Sequence, residues 1–257
     1  METIAIETDA RGVATLVLNR PEKHNAMSAV MIGELMQAAV DLGADDLVRV
    51  VVLTGAGKSF CAGGDLEWMR AQMAADRAQR MAEARKLAEM LQALNTMPKP
   101  LIGKINGQAF GGGVGLMSVC DVAIADESAR FGLTETKLGL IPATISPYVV
   151  ARMGERFARR VMMSGRRFGA AEAKEMALIS RFVMAEYLDK AVEVEISSYL
   201  SAAPQAVAAT KALIRRLGPV IDDAVIDRTI KALADTWEGA EAIEGVAAFF
   251  EKRKAKW

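Results

Sequence analysis

Two apolar runs, each leading into a cluster of glycines, constrain this chain more than any other feature. Val50-Val51-Val52-Leu53 is unbroken and mostly β-branched, the pattern of a strand covered on both faces, as in a parallel sheet between helices. A glycine-rich loop from Gly55 to Gly64 follows it. Leu101–Ile105 repeats the arrangement and leads into Gly111-Gly112-Gly113-Val114-Gly115, which opens a short helix to about Cys120; Val122–Ala125 is a further strand. Between these runs the period is helical. Ser28 is placed to cap a helix carrying Met31, Leu35, Ala38 and Ala39. A longer helix from about Gln79 carries Leu87, Met90, Leu91 and Leu94, and Pro98 stops it. Strands alternating with helices predict an α/β fold with a mostly parallel sheet. Residues 2–18 read as a hairpin around Asp9–Gly12. From Ala143 onward the pattern is almost all helical, with capping signals at Gly154, Gly165 and Ala203-Pro204. No internal repeat or long linker interrupts it. The expected division is a core over 1–195 and an amphipathic helical region over 196–257, packed on that core or on a partner subunit.

Composition then removes whole classes of function. Lys plus Arg and Asp plus Glu both number 32, which is poor equipment for nucleic acid, where a clustered cationic surplus is needed. A single histidine cannot furnish a His-rich metal site, and Cys61 and Cys120 have no C-x-x-C spacing, so no metal is expected. The N-terminus, METIAIETDA, is acidic and alternating rather than a secretory signal. No apolar run reaches transmembrane length. A cytoplasmic protein is expected.

The glycine clusters invite comparison with phosphate loops, and both comparisons fail. Gly57-Lys58-Ser59 ends as a P-loop does, but the required earlier glycine is Val52. A dinucleotide pattern begun at Gly111 or Gly113 needs its third glycine at Leu116 or Ser118. Two readings stay open: the glycines allow tight helix–sheet packing, or their free N–H groups hold an anion or a developing oxyanion. Glu135, in the stretch Phe131–Leu138, also has two readings. It is either a surface glutamate in a first helical turn or a carboxyl in apolar surroundings, with a raised pKa suited to proton transfer. Nucleophile triads are excluded: His24 lies in a polar loop, and no G-x-S-x-G elbow is present. The basic run Lys252–Lys256 is a solvated helix end or a phosphate contact.

The order of motifs adds a resemblance. Asn19-Arg20-Pro21 with Asn25-Ala26, then Ser59-Phe60-Cys61-Ala62-Gly63-Gly64-Asp65-Leu66, then Asn106–Gly113, Cys120-Asp121, Ala129–Gly132, Leu138–Pro142 and Phe250–Arg253 run collinearly along the chain. In this the sequence resembles the crotonase superfamily, the enoyl-CoA hydratase/isomerase family. The resemblance implies a crotonase-like spiral of β-β-α repeats, with a C-terminal helical trimerisation region assembling a homotrimer or a dimer of trimers. It implies acyl-CoA thioesters as substrates, with coenzyme A part of the substrate and no separate cofactor. By motif the two N–H groups that grip the thioester oxygen fall on Gly64 and Gly112, and the acid–base carboxylate on Glu135. Lys23, His24, Ala26 and Ala62, with Asp65 and Leu66 of the same motif, fall where the coenzyme is bound; Lys252 reaches its phosphates from a neighbouring subunit.

One departure stands out. Family hydratases carry two glutamates, and the first falls on Gly115 here. With Glu135 alone, the resemblance leaves a one-carboxylate hydratase, a double-bond isomerase that shuttles a proton between C4 and C2, or an acyl-CoA-binding protein without catalysis. The stretch Glu135–Val150 resembles a subgroup of methylglutaconyl-CoA hydratases of leucine breakdown, so hydration of a branched or carboxylated enoyl-CoA is the expectation. Ser146, Tyr148 and Arg152 are candidates to hold a distal carboxylate.

Overall fold

The computed structural model describes all 257 residues. The hairpin is present as β1 (Ile4–Thr8) and β2 (Val13–Leu18), and Ser28 caps α1 (Ala29–Ala44) by accepting from the Met31 amide. The spiral then begins. Each of its turns sends one strand into a large sheet and one into a small sheet. The first turn supplies β3 (Val50–Gly55) and β4 (Ser59–Cys61), followed by α2 (Leu66–Ala74) and α3 (Arg77–Thr96). The second supplies β5 (Leu101–Ile105), β6 (Gln108–Phe110) and α4 (Gly112–Ser118). The third supplies β7 (Val122–Asp126) and β8 (Arg130–Gly132), then a 3-10 turn over Glu135–Leu138 and α5 (Ser146–Met162). In the last, β9 (Arg167–Gly169) precedes α6 (Ala170–Glu175) and β10 (Arg181–Val183). Helices α7 (Leu188–Leu200), α8 (Pro204–Leu217), α9 (Asp223–Trp237) and α10 (Ala240–Phe250) complete the chain. No helix is long and apolar enough to cross a membrane.

The large sheet has the order β1-β2-β3-β5-β7-β10 and is parallel throughout except at the hairpin. Its central strand explains the unbroken apolar run. Val51 and Leu53 face the main core with α1 and α3, while Val50 and Val52 face Leu188, Val192 and Ile196 of α7. The small sheet has the order β4-β6-β8-β9, with only the last pair antiparallel. Asn106 stitches the two sheets: its side chain bonds the Gly55 amide and carbonyl and the Gly57 carbonyl at 2.8–3.2 Å.

The helical pattern expected from Ala143 onward is interrupted by β9 and β10, three-residue strands too short to leave a period. Gly154 does not end a helix. It kinks α5 from within, at φ 76°, a left-handed conformation natural to glycine. Residue 196 lies inside α7, which packs on the large sheet, and the change in organisation comes at Ser201–Ala203. Beyond it α9 lies along α3 through Ala84, Ala88, Ile226 and Ile230, clamped by ion pairs Arg77–Asp235, Arg77–Glu238 and Arg85–Asp227. Next, α10 rests on the Glu135–Leu138 turn, where Leu140, Ala242 and Val246 form a small core of their own. Gly139 and Gly245 allow this approach: a Cβ on either would collide with the backbone opposite, at Glu241 and Leu138 respectively.

Candidate active site

The ends of the small sheet's strands open into a cavity of about 520 Å³. Ala62 and Gly64 follow β4, Gly112 follows β6 and Glu135 follows β8; all four line it, as does Leu66 at the start of α2. The roof comes from the C-terminal helices through Leu233, Trp237 and Phe249, and the side wall from Trp68, Leu87 and Ile145.

The two glycine loops meet there because neither carries side chains that would hold them apart. Gly63 has φ 98°, and a Cβ on it would sit 2.9 Å from the Phe110 carbonyl and 3.8 Å from the Gly112 nitrogen. Met27 bridges to Gly64, donating to the Gly63 carbonyl and accepting from Asp65, at 2.8 and 3.0 Å. The Gly64 and Gly112 amides take no part in the turn, loop and cap hydrogen bonds around them. The Met27 side chain covers Gly112, its Cε overlapping the place of a Cβ, so a Cβ there would require Met27 to move. The glycines therefore permit close packing, and two N–H groups stay uncommitted beside one cavity.

Glu135 settles between its two readings. It begins a 3-10 turn rather than an α-helix, and α10 packs on that turn through Ala242 and Val246. Its Oε2 is buried with no hydrogen-bond partner, and Oε1 lies against Gly111, 2.8 Å from where a Cβ would be. Burial pushes its pKa up to about 7, opposed only by its own backbone N–H. No cation lowers it. A carboxyl held this way is poised to take or give a proton near neutrality.

Gly115 does not reach the cavity. It is buried in α4, and a Cβ there would overlap Ile145 Cγ2 and lie 3.0 Å from Ile145 Cβ and 3.8 Å from Leu91 Cδ1. Apolar side chains close the niche where a second carboxylate would enter, and Ile145 presents its own surface to the cavity.

The residues expected around the coenzyme divide. His24 and Asn25 both adopt positive φ, 51° and 55°, in a loop fixed by the buried Asn25 amide, which donates to the Ala56 and Ser59 carbonyls. His24 Nδ1 lies 2.9 Å from Ser59 Oγ, and its carbonyl accepts from the Ala62 amide, which ties this loop to the cavity's rim. Lys23 is half-exposed, 3.6 Å from Glu67, and Ala26 is buried with its carbonyl on Arg20. Asp65 is structural. It caps α2 through the Glu67 and Trp68 amides and pairs with Arg20 at 3.0 Å. Burial opposes its charge, but those amides and Arg20 outweigh burial and hold the carboxyl below its usual range. Lys252 is exposed at φ 55° and does not line the cavity of its own chain; the adjacent Arg253 does, held by Glu244 and Glu251.

Three side chains considered for a distal carboxylate lie elsewhere. Ser146 donates to the Pro142 carbonyl, Tyr148 reaches Gln92 on α3, and Arg152 is committed to the Leu178 and Cys120 carbonyls. Several cavity residues had no local signal: Met27, Ile145, Arg167 and Phe249 look like ordinary core or surface positions in sequence. Trp68 and Trp237 had one. They are two of only three tryptophans in a chain with 5% aromatic residues, and large rare side chains gather where a pocket must be walled.

A family model described as enoyl-CoA hydratase/isomerase matches residues 8–257. A Thermus thermophilus protein assigned as an enoyl-CoA hydratase is 34% identical over 255 residues, covering 98% of this chain and 100% of that one. A mevalonyl-coenzyme A hydratase of Aspergillus fumigatus is 32% identical over 260 residues, covering 95% and 91%. The crystal structure of an enoyl-CoA hydratase from Shewanella pealeana superposes with a TM-score of 0.82 at 42% identity, over 100% of this chain and 96% of that one. With the spiral of paired strands and the enclosed carboxylate already in view, these matches agree on one conclusion: the chain belongs to the enoyl-CoA hydratase/isomerase family and has the crotonase fold.

Proposed function

We propose that this protein hydrates the 2,3 double bond of an enoyl-CoA thioester, with Glu135 as its single acid–base group. One observation carries the reading: Glu135, with one carboxylate oxygen buried and without a partner, lines the cavity that two uncommitted N–H groups also border. The Gly64 and Gly112 amides receive the thioester oxygen. As water attacks C3, its proton passes to Glu135 and the C2=C3 electrons move through C1 onto that oxygen. The enolate is held by the two donors, each worth about 3–4 kcal/mol in such a site. The carbonyl then re-forms, and Glu135 returns the proton to C2. Hydrogen and hydroxyl come from one water molecule and add to one face.

The test is loss of the conjugated-thioester absorbance of crotonyl-CoA, with one oxygen from ¹⁸O water found at C3 of the product. The reaction needs Glu135 ionised at the start. Activity is therefore expected to level off above about pH 7 and to fall roughly tenfold per unit well below it. A flat profile between pH 5 and 8 would remove Glu135 as the base.

The niche at Gly115 favours a second reading, double-bond isomerisation. Ile145 and Leu91 supply no polar group to hold a water, and moving a proton from C4 to C2 needs one base and no water. A 3-enoyl-CoA in heavy water giving 2-enoyl product without added hydroxyl, with crotonyl-CoA inert, would establish isomerisation instead.

Helix α8 supports assembly with further copies of the chain, as the trimer or dimer of trimers expected of it. It buries none of its residues in this chain and exposes Leu213, Ile214 and Leu217, with Val220 beyond it. A monomer by light scattering at micromolar concentration would overturn the assembly.

A further inference from the structure

Arg20, in the first of the collinear motifs, has no part in the chemistry above, yet it stands behind one of the two uncommitted amides. Its backbone is pinned by Asn25, whose side-chain oxygen accepts from the Arg20 amide and whose own amide donates to the Arg20 carbonyl, both at 2.9 Å. Its guanidinium is largely buried, with 16% of the side chain exposed. One nitrogen, Nη1, donates to the Ala26 carbonyl at 2.7 Å and lies 3.0 Å from the Asp65 carboxylate. Ala26 precedes Met27 and Asp65 follows Gly64. Arg20 therefore ties together the two chain segments that run side by side at the cavity's rim.

A line of peptide groups leads from this cation to the cavity. Every peptide bond is trans, so in each planar unit the C=O and the N–H point opposite ways. The Ala26–Met27 unit accepts from Arg20 on its oxygen and donates its N–H to the Gly63 carbonyl at 2.8 Å. The Gly63–Gly64 unit takes that bond on its oxygen, which turns its N–H, the Gly64 amide, away from the Met27 backbone. Both residues of this unit are glycine, and Gly63 has φ 98°, so no side chain resists a rotation of the peptide plane. The bond from Met27 holds the plane, and Arg20 holds Met27. The Gly112 amide is set differently. The carbonyl of its peptide unit, on Gly111, accepts from the Val114 and Gly115 amides at 2.9 and 3.1 Å, with no charged group involved.

Resting on the enoyl-CoA reading above, we infer that Arg20 is a positioning residue for the reaction: through Ala26, Met27 and Gly63 it aims the Gly64 N–H at the thioester oxygen and strengthens that donor. Hydrogen bonds in series polarise one another, by about 10–30% per bond, and the guanidinium makes the first of them charge-assisted. Asp65 keeps the guanidinium in place through one oxygen, while its other oxygen is engaged by the Glu67 and Trp68 amides at 2.7 and 3.3 Å. The thioester oxygen carries more charge in the enolate than in the substrate, so the contribution grows towards the transition state and shows in kcat rather than KM.

The test compares the full-length protein with Arg20→Lys, Arg20→Met and the double variant Arg20→Met/Asp65→Asn. The double variant leaves no orphaned carboxylate, and asparagine still caps a helix, so it reports even where Arg20→Met alone misfolds. With crotonyl-CoA both methionine variants are expected to lose roughly 10–100-fold in kcat, the range for a charged hydrogen bond, at little change in KM; Arg20→Lys is expected to recover part of the loss. The second readout is infrared. Butyryl-CoA labelled with ¹³C at the thioester carbonyl cannot be hydrated, and its carbonyl stretch should fall in frequency on binding the wild type. That shift should shrink in both methionine variants at saturating ligand, on samples folded by circular dichroism. If Arg20 served stability alone, melting would fall while the shift of the bound ligand stayed intact; an unchanged shift, or a loss confined to KM, overturns the proposal. Bound butyryl-CoA with no shift in the wild type overturns it too, because Gly64 then grips no thioester oxygen. If the shift is present and depends on Arg20 but crotonyl-CoA gains no water, the hydratase reading fails and the positioning role stands.

Discussion

Glu135→Gln is expected to lower kcat by roughly 10²–10⁴ while stabilising the folded protein at high pH. Glutamine keeps the shape of the side chain but can neither accept a proton from water nor return one to C2, so acyl-CoA binding should survive the loss of turnover. The stability change follows from the raised pKa, about 7 against an ordinary 4.5. Below pH 4.5 the carboxyl is neutral whether folded or unfolded, and the two proteins should melt alike. Between 4.5 and 7 the folded state holds a proton that the unfolded chain releases, so the wild type loses stability as pH rises. Above 7 it carries the full cost of an unpartnered buried charge, as much as about 3 kcal/mol. Glutamine removes that cost. For a chain of this size the gap at pH 8 corresponds to a melting temperature higher by on the order of 5–10 °C, closing at pH 4. Inactivity with identical melting at both pH values would mean that Glu135 is solvated, and the proposed acid–base role would lose its physical basis.

Gly115→Glu, the change that would recreate a two-carboxylate site, is expected to cost the protein its fold rather than improve its chemistry. The obstruction begins at Cβ, which would overlap Ile145 before any carboxyl is added. Ile145 and Leu91 are fully packed in the main core, and overfilling such a site costs about 1–3 kcal/mol. The carboxyl adds several kcal/mol more as an unpaired polar group among aliphatic side chains. The total approaches the whole of a typical stability, about 5–15 kcal/mol. Soluble yield and urea unfolding would report the loss. Adding Ile145→Ala clears the overlap and should recover part of it. A stable and more active Gly115→Glu protein would mean that Ile145 yields easily and that the single-carboxylate site is not enforced by packing.

The legibility of this protein in its sequence follows the range of its interactions. The large sheet was readable because Val50–Leu53 carries its own evidence: a strand buried on both faces needs apolar residues at every position, whatever packs on it. Helices α1 and α3 were readable for the matching reason, their caps and stripes being local. The small sheet was not. Its strands are three residues each, below any usable period, and they form because each bonds a neighbour far along the chain, as Ser59 of β4 does with Gln108 of β6. The motif order pointed to Gly64, Gly112 and Glu135, and the cavity does bring them together. It could not say that α10 buries Glu135, since that depends on Gly139 and Gly245 letting a distant helix close in. Nor could it say that Ile145 closes the niche at Gly115. Asp65 illustrates the opposite limit: it belongs to a family motif, yet its visible work is to cap α2 and hold Arg20.

The roof over Glu135 has a consequence for how this protein comes into being. The floor and walls of the cavity are complete once β9 is in place, but Leu233, Trp237 and Phe249 emerge from the ribosome only later. At some 5–20 residues per second, the nascent chain spends several seconds with a finished small sheet and an open, wet apolar basin. Catalytic readiness would thus arrive in a single late event, when α9 and α10 dock and strip the water away. Birth of the enzyme and tuning of its proton become the same step.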